Sequence, residues 1–169
     1  IFDISHCAKD LGFYVGLSSN GTLIDDAMAE KIAEVGYDYL GVSLDGIGTV
    51  HDKFRRQPGA YEAALNGIRL CHTRGIKVGL RFTMTELNVE SLPEMLNLID
   101  QEEIDKFYLS HLVYAGRGNR YREDDAHHQT TRQSMDLIFE RCWDYVQRGI
   151  EKEFVTGNND ADGVYFLNW

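Results

Sequence analysis

Four short segments of the chain carry hydroxyl, amide and basic side chains, and each lies at or just after the end of an apolar run. They are Ser18–Thr22; Ser43–Gly46 with His51, Asp52, Arg55 and Arg56; Arg81 and Thr83 with Asn88; and His111 with Val113–Asn119. Arginine binds carboxylates through two parallel hydrogen bonds. These residue types therefore predict a pocket for a polar ligand with an anionic group, bound by Arg55 or Arg56.

The elements that must position these residues repeat along the chain. Helical stretches end at Gly12, Gly36 and Gly75, where glycine suits a left-handed turn, and an apolar strand follows each. The predicted strands are Phe13–Asn20, Tyr37–Gly46, Ile76–Met84 and Lys106–His111, and the main predicted helices are Asp25–Val35, Gly59–Thr73, Ser91–Gln101 and His127–Arg148. Nearly continuous apolar strands are typical of parallel strands covered on both faces.

Strands that alternate with helices predict an α/β fold with parallel pairing and right-handed crossovers. Periodicity alone leaves two architectures open, an open doubly wound sheet and part of a βα barrel. Both architectures bind ligands at the carboxyl ends of their strands, where the four polar segments lie.

Each polar residue also has a structural interpretation. Ser43 and Asp45 can cap the turn that follows them, and His51 with Asp52 is more often a helix-start or turn pair than an acid–base pair. The sequence holds no P-loop, no dinucleotide glycine fingerprint, no HExxH motif and no GxSxG elbow. No side chain is assigned a catalytic or metal-binding role.

The charge of the chain narrows its partners. The formal net charge is −10, which argues against nucleic acid and against an anionic membrane surface because both attract clustered Lys and Arg. Neither a transmembrane run nor a signal peptide is evident. Cys7, Cys71 and Cys142 are far apart and odd in number, so a disulfide framework is not expected. We expect a reducing, cytoplasmic location instead.

The strand-end motifs resemble a known family when they are taken in order. Asn20-Gly21-Thr22 is followed by Ser43–Gly46 (SLDG), by His51-Asp52 with Arg55 (HDxxR), and by Gly59–Leu65 (GAYEAAL). This order and spacing resemble the radical S-adenosylmethionine (SAM) enzymes that carry a C-terminal SPASM-type extension. The resemblance covers most of the chain and implies a partial (β/α)6 TIM-like barrel, with about four parallel strands here, the third to sixth of that barrel.

The resemblance also implies roles for single residues. Ser43 matches the family's contact to the ribose and carboxylate of SAM, and Arg55 matches the arginine that binds its methionyl carboxylate. Leu112, Val113 and Tyr114 are expected to give backbone contacts to the adenine. The remaining residues expected at the SAM or substrate site are Asn20, Asp45, Arg81 and Thr83.

Two further segments point to a branch of this family. Leu112–Gly118 and Thr156–Tyr165 resemble the radical SAM enzymes of haem d1 biosynthesis. Those enzymes act on a tetrapyrrole derived from sirohaem and are thought to replace two propionate side chains with oxo groups. On this reading Arg117, Arg120 and Arg122 could meet propionates, although a solvated loop paired with its own acidic residues is the alternative.

Two family features are missing from the sequence. The CxxxCxxC loop, whose three thiolates hold a [4Fe–4S] cluster, and the GGE segment that binds the SAM amino group are both absent. We expect them before Ile1, with residues 1–155 forming a truncated barrel core and residues 156–169 starting a linker toward a missing SPASM-type domain. The fragment alone is then expected to be inactive.

The expected truncation has a physical consequence. It would expose the edge of the first strand, at Phe13–Leu17, and an apolar inner face. Open edges invite pairing with another chain, so the fragment is expected to dimerise or swap elements.

Three alternatives to this function stay open: a peptide maturase of the SPASM type, an unrelated TIM-barrel lyase using Asp45, His51 and Arg81, and a non-catalytic βα module.

Overall fold

The computed structural model describes residues 1–116 and 118–169 and contains a parallel sheet of five strands. The strands are β1 (Gly16–Ser19), β2 (Tyr39–Ser43), β3 (Val78–Thr83), β4 (Lys106–Ser110) and β5 (Glu153–Gly157). They lie in the order β1-β2-β3-β4-β5, and every neighbouring pair is parallel. The predicted α/β class is confirmed, and the sheet has five strands where the sequence indicated about four.

Seven α-helices connect and follow these strands within the described residues. They are α1 (Phe2–Asp10), α2 (Asp26–Val35), α3 (Thr49–Arg55), α4 (Ala60–His72), α5 (Leu92–Gln101), α6 (His128–Arg148) and α7 (Ala161–Asn168), with 3₁₀ turns at Val89–Ser91 and Gly118–Asp124. The four main predicted helices are present within one residue at each end. Helices α3 and α7 were not predicted, and the domain boundary expected at residues 155–156 falls inside β5.

The start and end of α2 show how local sequence sets these elements. The Asp25 carboxylate accepts a hydrogen bond from the Met28 amide at 2.8 Å, which satisfies a free donor of the first helical turn. Gly36 ends the helix with a φ of 67°, a conformation that disfavours side chains with a Cβ atom. The predicted positive-φ glycines Gly12 and Gly75 are present as well.

The two faces of the sheet differ in chemistry. Sequential strand order with right-handed crossovers places the connecting helices on one face. On that face Leu40, Leu80 and Leu109 are fully buried. The expectation that the strands are covered on both faces is wrong, because alternate residues point away from the helices.

The uncovered face is polar, so the apolar inner face expected from the sequence is also wrong. The Tyr39 ring lies across the backbone of Gly79, where a Cβ atom would be 2.6 Å from that ring. The Lys106 ammonium is 5.1 Å from the centre of the Tyr39 ring, and the Arg81 guanidinium is 4.9 Å from that of Tyr108. Aromatic rings and cations therefore line this face, and cation–π attraction holds them there.

Strand β1 forms one edge of the sheet, as expected. Phe13 and Tyr14, just before it, are 63% and 71% exposed. Dimerisation through this edge stays a prediction. Among residues 1–116 and 118–169, no helix has the length and apolar character that a membrane crossing requires.

The contact between Tyr39 and Gly79 can be tested by a double-mutant cycle. Gly79→Ala should lower the free energy of unfolding by about 1–3 kcal/mol, because overpacking forces the ring to move. In a Tyr39→Ala background the same change should cost much less. Gly163→Ala is the control, since no atom lies within 4 Å of its added Cβ. Equal losses at Gly79 in both backgrounds, measured by urea denaturation, would contradict this packing.

Candidate functional site

A cavity of about 430 Å³ opens at the carboxyl edge of the sheet. It is lined by Ser18, Ser19, Asn20, Ser43, Arg55, Arg81, Thr83 and Ser110. Five of the nine residues predicted at the ligand site lie here: Asn20, Ser43, Arg55, Arg81 and Thr83. Four of them meet because parallel strands in register bring their carboxyl ends to the same edge, and Arg55 reaches the edge from α3 through its ion pair with Asp45.

Arg81 forms part of the polar wall of this first cavity. It is the register partner of Ser43 on β2 and of Tyr108 on β4. Its Nη1 donates a hydrogen bond to the Ser18 hydroxyl at 2.8 Å, so the side chain reaches across β2 to β1. The guanidinium is thus held against the sheet rather than free in solvent.

Asp45 lies behind the cavity and holds Arg55. The Asp45 carboxyl is fully buried, and its Oδ2 forms an ion pair with the Arg55 guanidinium. Its Oδ1 accepts a hydrogen bond from the Thr83 amide at 2.9 Å. Burial raises the pKa of Asp45, and the positive charge of Arg55 opposes that rise. Asp45 lines none of the cavities described below and acts on the site through Arg55.

The backbone of Asp45 is also fixed from both sides. Its amide donates to His51 Nδ1 at 2.9 Å, and its carbonyl accepts from Asn88 Nδ2 at 3.1 Å. The same Asn88 nitrogen donates to the Thr83 carbonyl at 2.9 Å. These bonds join the ends of β2 and β3, which keeps the cavity wall rigid.

His51 is a buried acceptor in this network. An amide N–H can only donate, so Nδ1 must be unprotonated and the ring neutral with its proton on Nε2. Burial and, to a lesser degree, the Arg55 charge lower the pKa of His51 to about 4. The neighbouring Asp52 caps α4 instead of pairing with His51, because its carboxylate accepts from the Gly59 and Tyr61 amides at 2.6 and 2.8 Å.

A second cavity of about 430 Å³ adjoins the first and shares Arg55 and Thr83 with it. Leu112 lines this second cavity. Tyr114 lines a third cavity, of about 590 Å³, beside Asp125 and His127, and Val113 is 48% exposed and lines none of the three. The structure therefore does not bring Leu112, Val113 and Tyr114 to the first cavity, and their expected backbone contacts to the adenine stay a prediction. Arg117 lies outside the described residues.

Sequence reasoning missed two features of this edge. Ser110 lines the first cavity, and its place next to the end of the predicted strand Lys106–His111 could have identified it. His111, the next residue, pairs through Nε2 with Asp162 Oδ2 at 2.8 Å. This pair ties the end of β4 to α7, and no signal in the sequence connects residues so far apart.

The described residues do not fit an iron–sulfur cluster. Cys7 is exposed, Cys71 buried and Cys142 half-buried, and burial raises the pKa of both Cys71 and Cys142 to about 11. Over residues 1–116 and 118–169, no group of three or more His, Cys, Asp or Glu side chains could hold a metal ion.

Comparison with known families decides the assignment. The sequence pattern of the Radical SAM superfamily matches residues 1–99, which hold β1–β3, Ser43, Asp45 and Arg55. The chain belongs to the radical SAM superfamily. This assignment supports an enzyme and argues against an unrelated lyase and a non-catalytic module. The ligand to compare with this site is therefore S-adenosylmethionine, the cofactor of the superfamily.

Two curated relatives extend the match over nearly the whole chain. The pre-heme d1 synthase of Dinoroseobacter shibae is 55% identical over all of this chain and 42% of its own length. The Fe-coproporphyrin III synthase of Methanosarcina barkeri is 44% identical over 96% of this chain and 41% of its own length. The chain thus spans about two fifths of the length of these relatives.

Solved structures share the fold. Streptococcus suis SuiB bound to its precursor peptide SuiA superposes with a TM-score of 0.77, at 14% identity, over 98% of this chain and 36% of SuiB. SuiB bound to S-adenosylmethionine superposes with a TM-score of 0.69, at 16% identity, over 95% of this chain and 35% of SuiB. At this identity the likeness concerns the radical SAM partial-barrel fold alone.

The ion pair of Asp45 and Arg55 should dominate the stability of this edge. Asp45→Ala is expected to lower the free energy of unfolding by about 1–3 kcal/mol, because it leaves the Thr83 amide without its acceptor, whereas Arg55, 34% exposed, can be solvated by water. The control is Asp144→Ala, which removes an ion pair with both side chains 52% exposed and should cost under about 0.5 kcal/mol. Similar losses for both variants in urea denaturation would refute the role of Asp45.

His51 should make stability depend on pH. Between pH 6.5 and about 4 the unfolded state binds a proton that the folded His51 refuses, so its contribution is complete above pH 6.5 and is lost as the pH falls toward 4. The full loss is about 3 kcal/mol at 1.36 kcal/mol per pKa unit. His51→Gln should flatten the curve of unfolding free energy between pH 6.5 and 4, relative to its own value at pH 8. An equally steep curve in the variant would contradict the buried acceptor.

Proposed function

We propose that the first cavity binds S-adenosylmethionine and that the full-length protein cleaves it reductively to modify an iron tetrapyrrole in haem d1 biosynthesis. The observation that supports the first part is the position of Arg55. Its guanidinium lines the cavity while a buried carboxylate holds its other side. Such an arginine presents fixed donors to the methionyl carboxylate with little loss of side-chain entropy on binding.

The other residues of the cavity complement the remaining polar groups of SAM. Ser43 and Asn20 supply a hydroxyl and an amide for the ribose, and Thr83 adds a hydroxyl beside Arg55. Arg81 faces the same space with its guanidinium fixed on Ser18. We assign Asp45 a positioning role, because it touches Arg55 and the Thr83 amide and not the cavity.

When bound, SAM would supply hydrogen-atom abstraction from the substrate, with methionine as the leaving group and with the electron coming from a reductant outside this chain. The residues of this chain bind SAM, orient its carboxylate and ribose, and hold the substrate beside it. Cluster-ligating cysteines at CxxxCxxC spacing are absent from the sequence. We therefore expect the isolated chain not to cleave SAM, and not to develop iron–sulfur absorption on reconstitution.

The substrate class rests on the two curated relatives. Both are named for haem-type products, pre-heme d1 and Fe-coproporphyrin III. Relatives named as PqqA peptide cyclases are 24% identical, which favours the tetrapyrrole over the peptide reading. We propose that propionate side chains of a sirohaem-derived tetrapyrrole are the groups modified, in the cytoplasm.

The experiment uses the full-length protein, purified anaerobically and reconstituted with iron and sulfide. With SAM and a reductant it should form 5′-deoxyadenosine and change the mass of a sirohaem-derived tetrapyrrole. Formation of 5′-deoxyadenosine without any change in tetrapyrroles, together with a modified peptide, would favour a peptide maturase instead.

Arg55→Lys tests the SAM site itself. The lysine keeps the charge that Asp45 needs but loses the bidentate geometry, so the dissociation constant for SAM should rise about 10–100-fold, as expected for losing a charge-assisted hydrogen bond. Arg69→Lys, on the surface of α4 and paired with Glu102, should bind SAM as the parent does. Unchanged affinity in Arg55→Lys, measured by equilibrium dialysis, would overturn the assignment.

A further inference from the structure

The second cavity differs in character from the first. Basic side chains of α3 and its end, Lys53, Arg55 and Arg56, line one part of it. Apolar and aromatic side chains, among them Phe54, Leu112 and Tyr121, line another part, and Thr83, Thr85, Gly118 and Asp124 complete the wall. A space that is partly apolar and partly cationic suits a flat organic anion better than a small polar ligand.

The backbone of Arg56 is held in an unusual conformation. It ends α3 with φ 57° and ψ 36°, the left-handed region that costs a residue with a Cβ atom about 1 kcal/mol. Helices α2 and α6 place glycine at the same point, Gly36 and Gly149. Strained non-glycine residues cluster at binding sites, so the side chain of Arg56 is the feature to explain.

The guanidinium of Arg56 is only partly engaged. Its Nη2 donates to the Tyr121 hydroxyl at 2.6 Å, and the Tyr121 ring centre is 5.6 Å from its central carbon. Within the described residues neither Arg56 nor Lys53 has a carboxylate at ion-pair distance, although acidic residues outnumber basic ones by 27 to 17. Asp124 also lines this cavity, but it forms no ion pair with either cation, so both charges remain available to an anionic ligand.

We propose that the second cavity is the substrate side of the site, and that Arg56 binds a propionate carboxylate of the tetrapyrrole. Arg56 offers one bidentate edge, Lys53 a second positive charge, and the Tyr121 ring a flat surface beside them. Phe54 and Leu112 contact the apolar edge of the macrocycle. The inference rests on the proposed function for the class of substrate, and on the cavity for the residues.

The position of this cavity agrees with such a role. It shares Arg55 and Thr83 with the first cavity, so a group anchored on Arg56 lies next to the SAM site. Arg55 faces both spaces while Asp45 fixes it. Arg56 is then the residue that selects for a carboxylate on the substrate, and Arg55 the residue that orients SAM.

The test measures binding of Fe-coproporphyrin III, an iron tetrapyrrole with four propionates, to the full-length reconstituted protein by absorbance titration. Arg56→Gly removes the side chain and relieves the backbone strain, so thermal stability should be kept or slightly raised. Its dissociation constant for the probe should rise at least tenfold. The dissociation constant of Arg56→Lys should lie between those of Arg56→Gly and the parent. The tetramethyl ester of the probe should bind weakly to the parent and show no such dependence.

Glu103→Gly is the matched control. Glu103 is also an exposed non-glycine residue with a positive φ, 52°. It precedes β4, at the amino ends of the strands and away from the cavities, so the affinity for the probe should not change. An unchanged dissociation constant in Arg56→Gly, with the parent binding the probe, would overturn this inference and leave the proposed function standing. Failure of the parent to bind any iron tetrapyrrole carboxylate would overturn the proposed substrate class, and this inference with it.

Discussion

The buried carboxylate of Asp45 is the contact on which the rest of the site depends. A charge removed from water is tolerated only when other groups replace its hydration, and here Arg55 and the Thr83 amide do so. Arg55 reaches this carboxylate from α3 and the Thr83 amide reaches it from β3, so one side chain joins the end of β2 to two other elements. The same contacts orient the guanidinium toward the cavity, so the stability of this edge and its capacity to bind an anion have one cause.

The asymmetry of the sheet explains why the site lies where it does. Helices bury one face with residues such as Leu80 and Leu109, and the other face is left to rings, cations and hydroxyls. Arg81 extends along that polar face from β3 to Ser18 on β1. The polar face ends at hydroxyl side chains that line the first cavity. The apolar layer between the sheet and its helices lies on the other face.

Two adjacent arginines have different roles in the proposed site. Arg55 is fixed by a buried partner and lines the first and second cavities. The backbone of Arg56 is itself left-handed, and its guanidinium is directed to Tyr121 instead. One helix end thus presents two guanidinium groups to neighbouring spaces. This separation allows a cofactor carboxylate and a substrate carboxylate to be held close together without competing for the same donors.

The sequence alone determined the α/β class, the glycine-ended helices and four strand-end residues around the first cavity, because parallel strands always bring their carboxyl ends together. It also carried the motifs that identify the superfamily. It did not determine β5, the polar open face, or the separation of Leu112, Val113 and Tyr114 from the first cavity. Those depend on which face the helices cover and on where loops turn. Likewise His51 is an acceptor for Asp45 only because tertiary packing buries both, and contacts of that kind leave no local pattern to read.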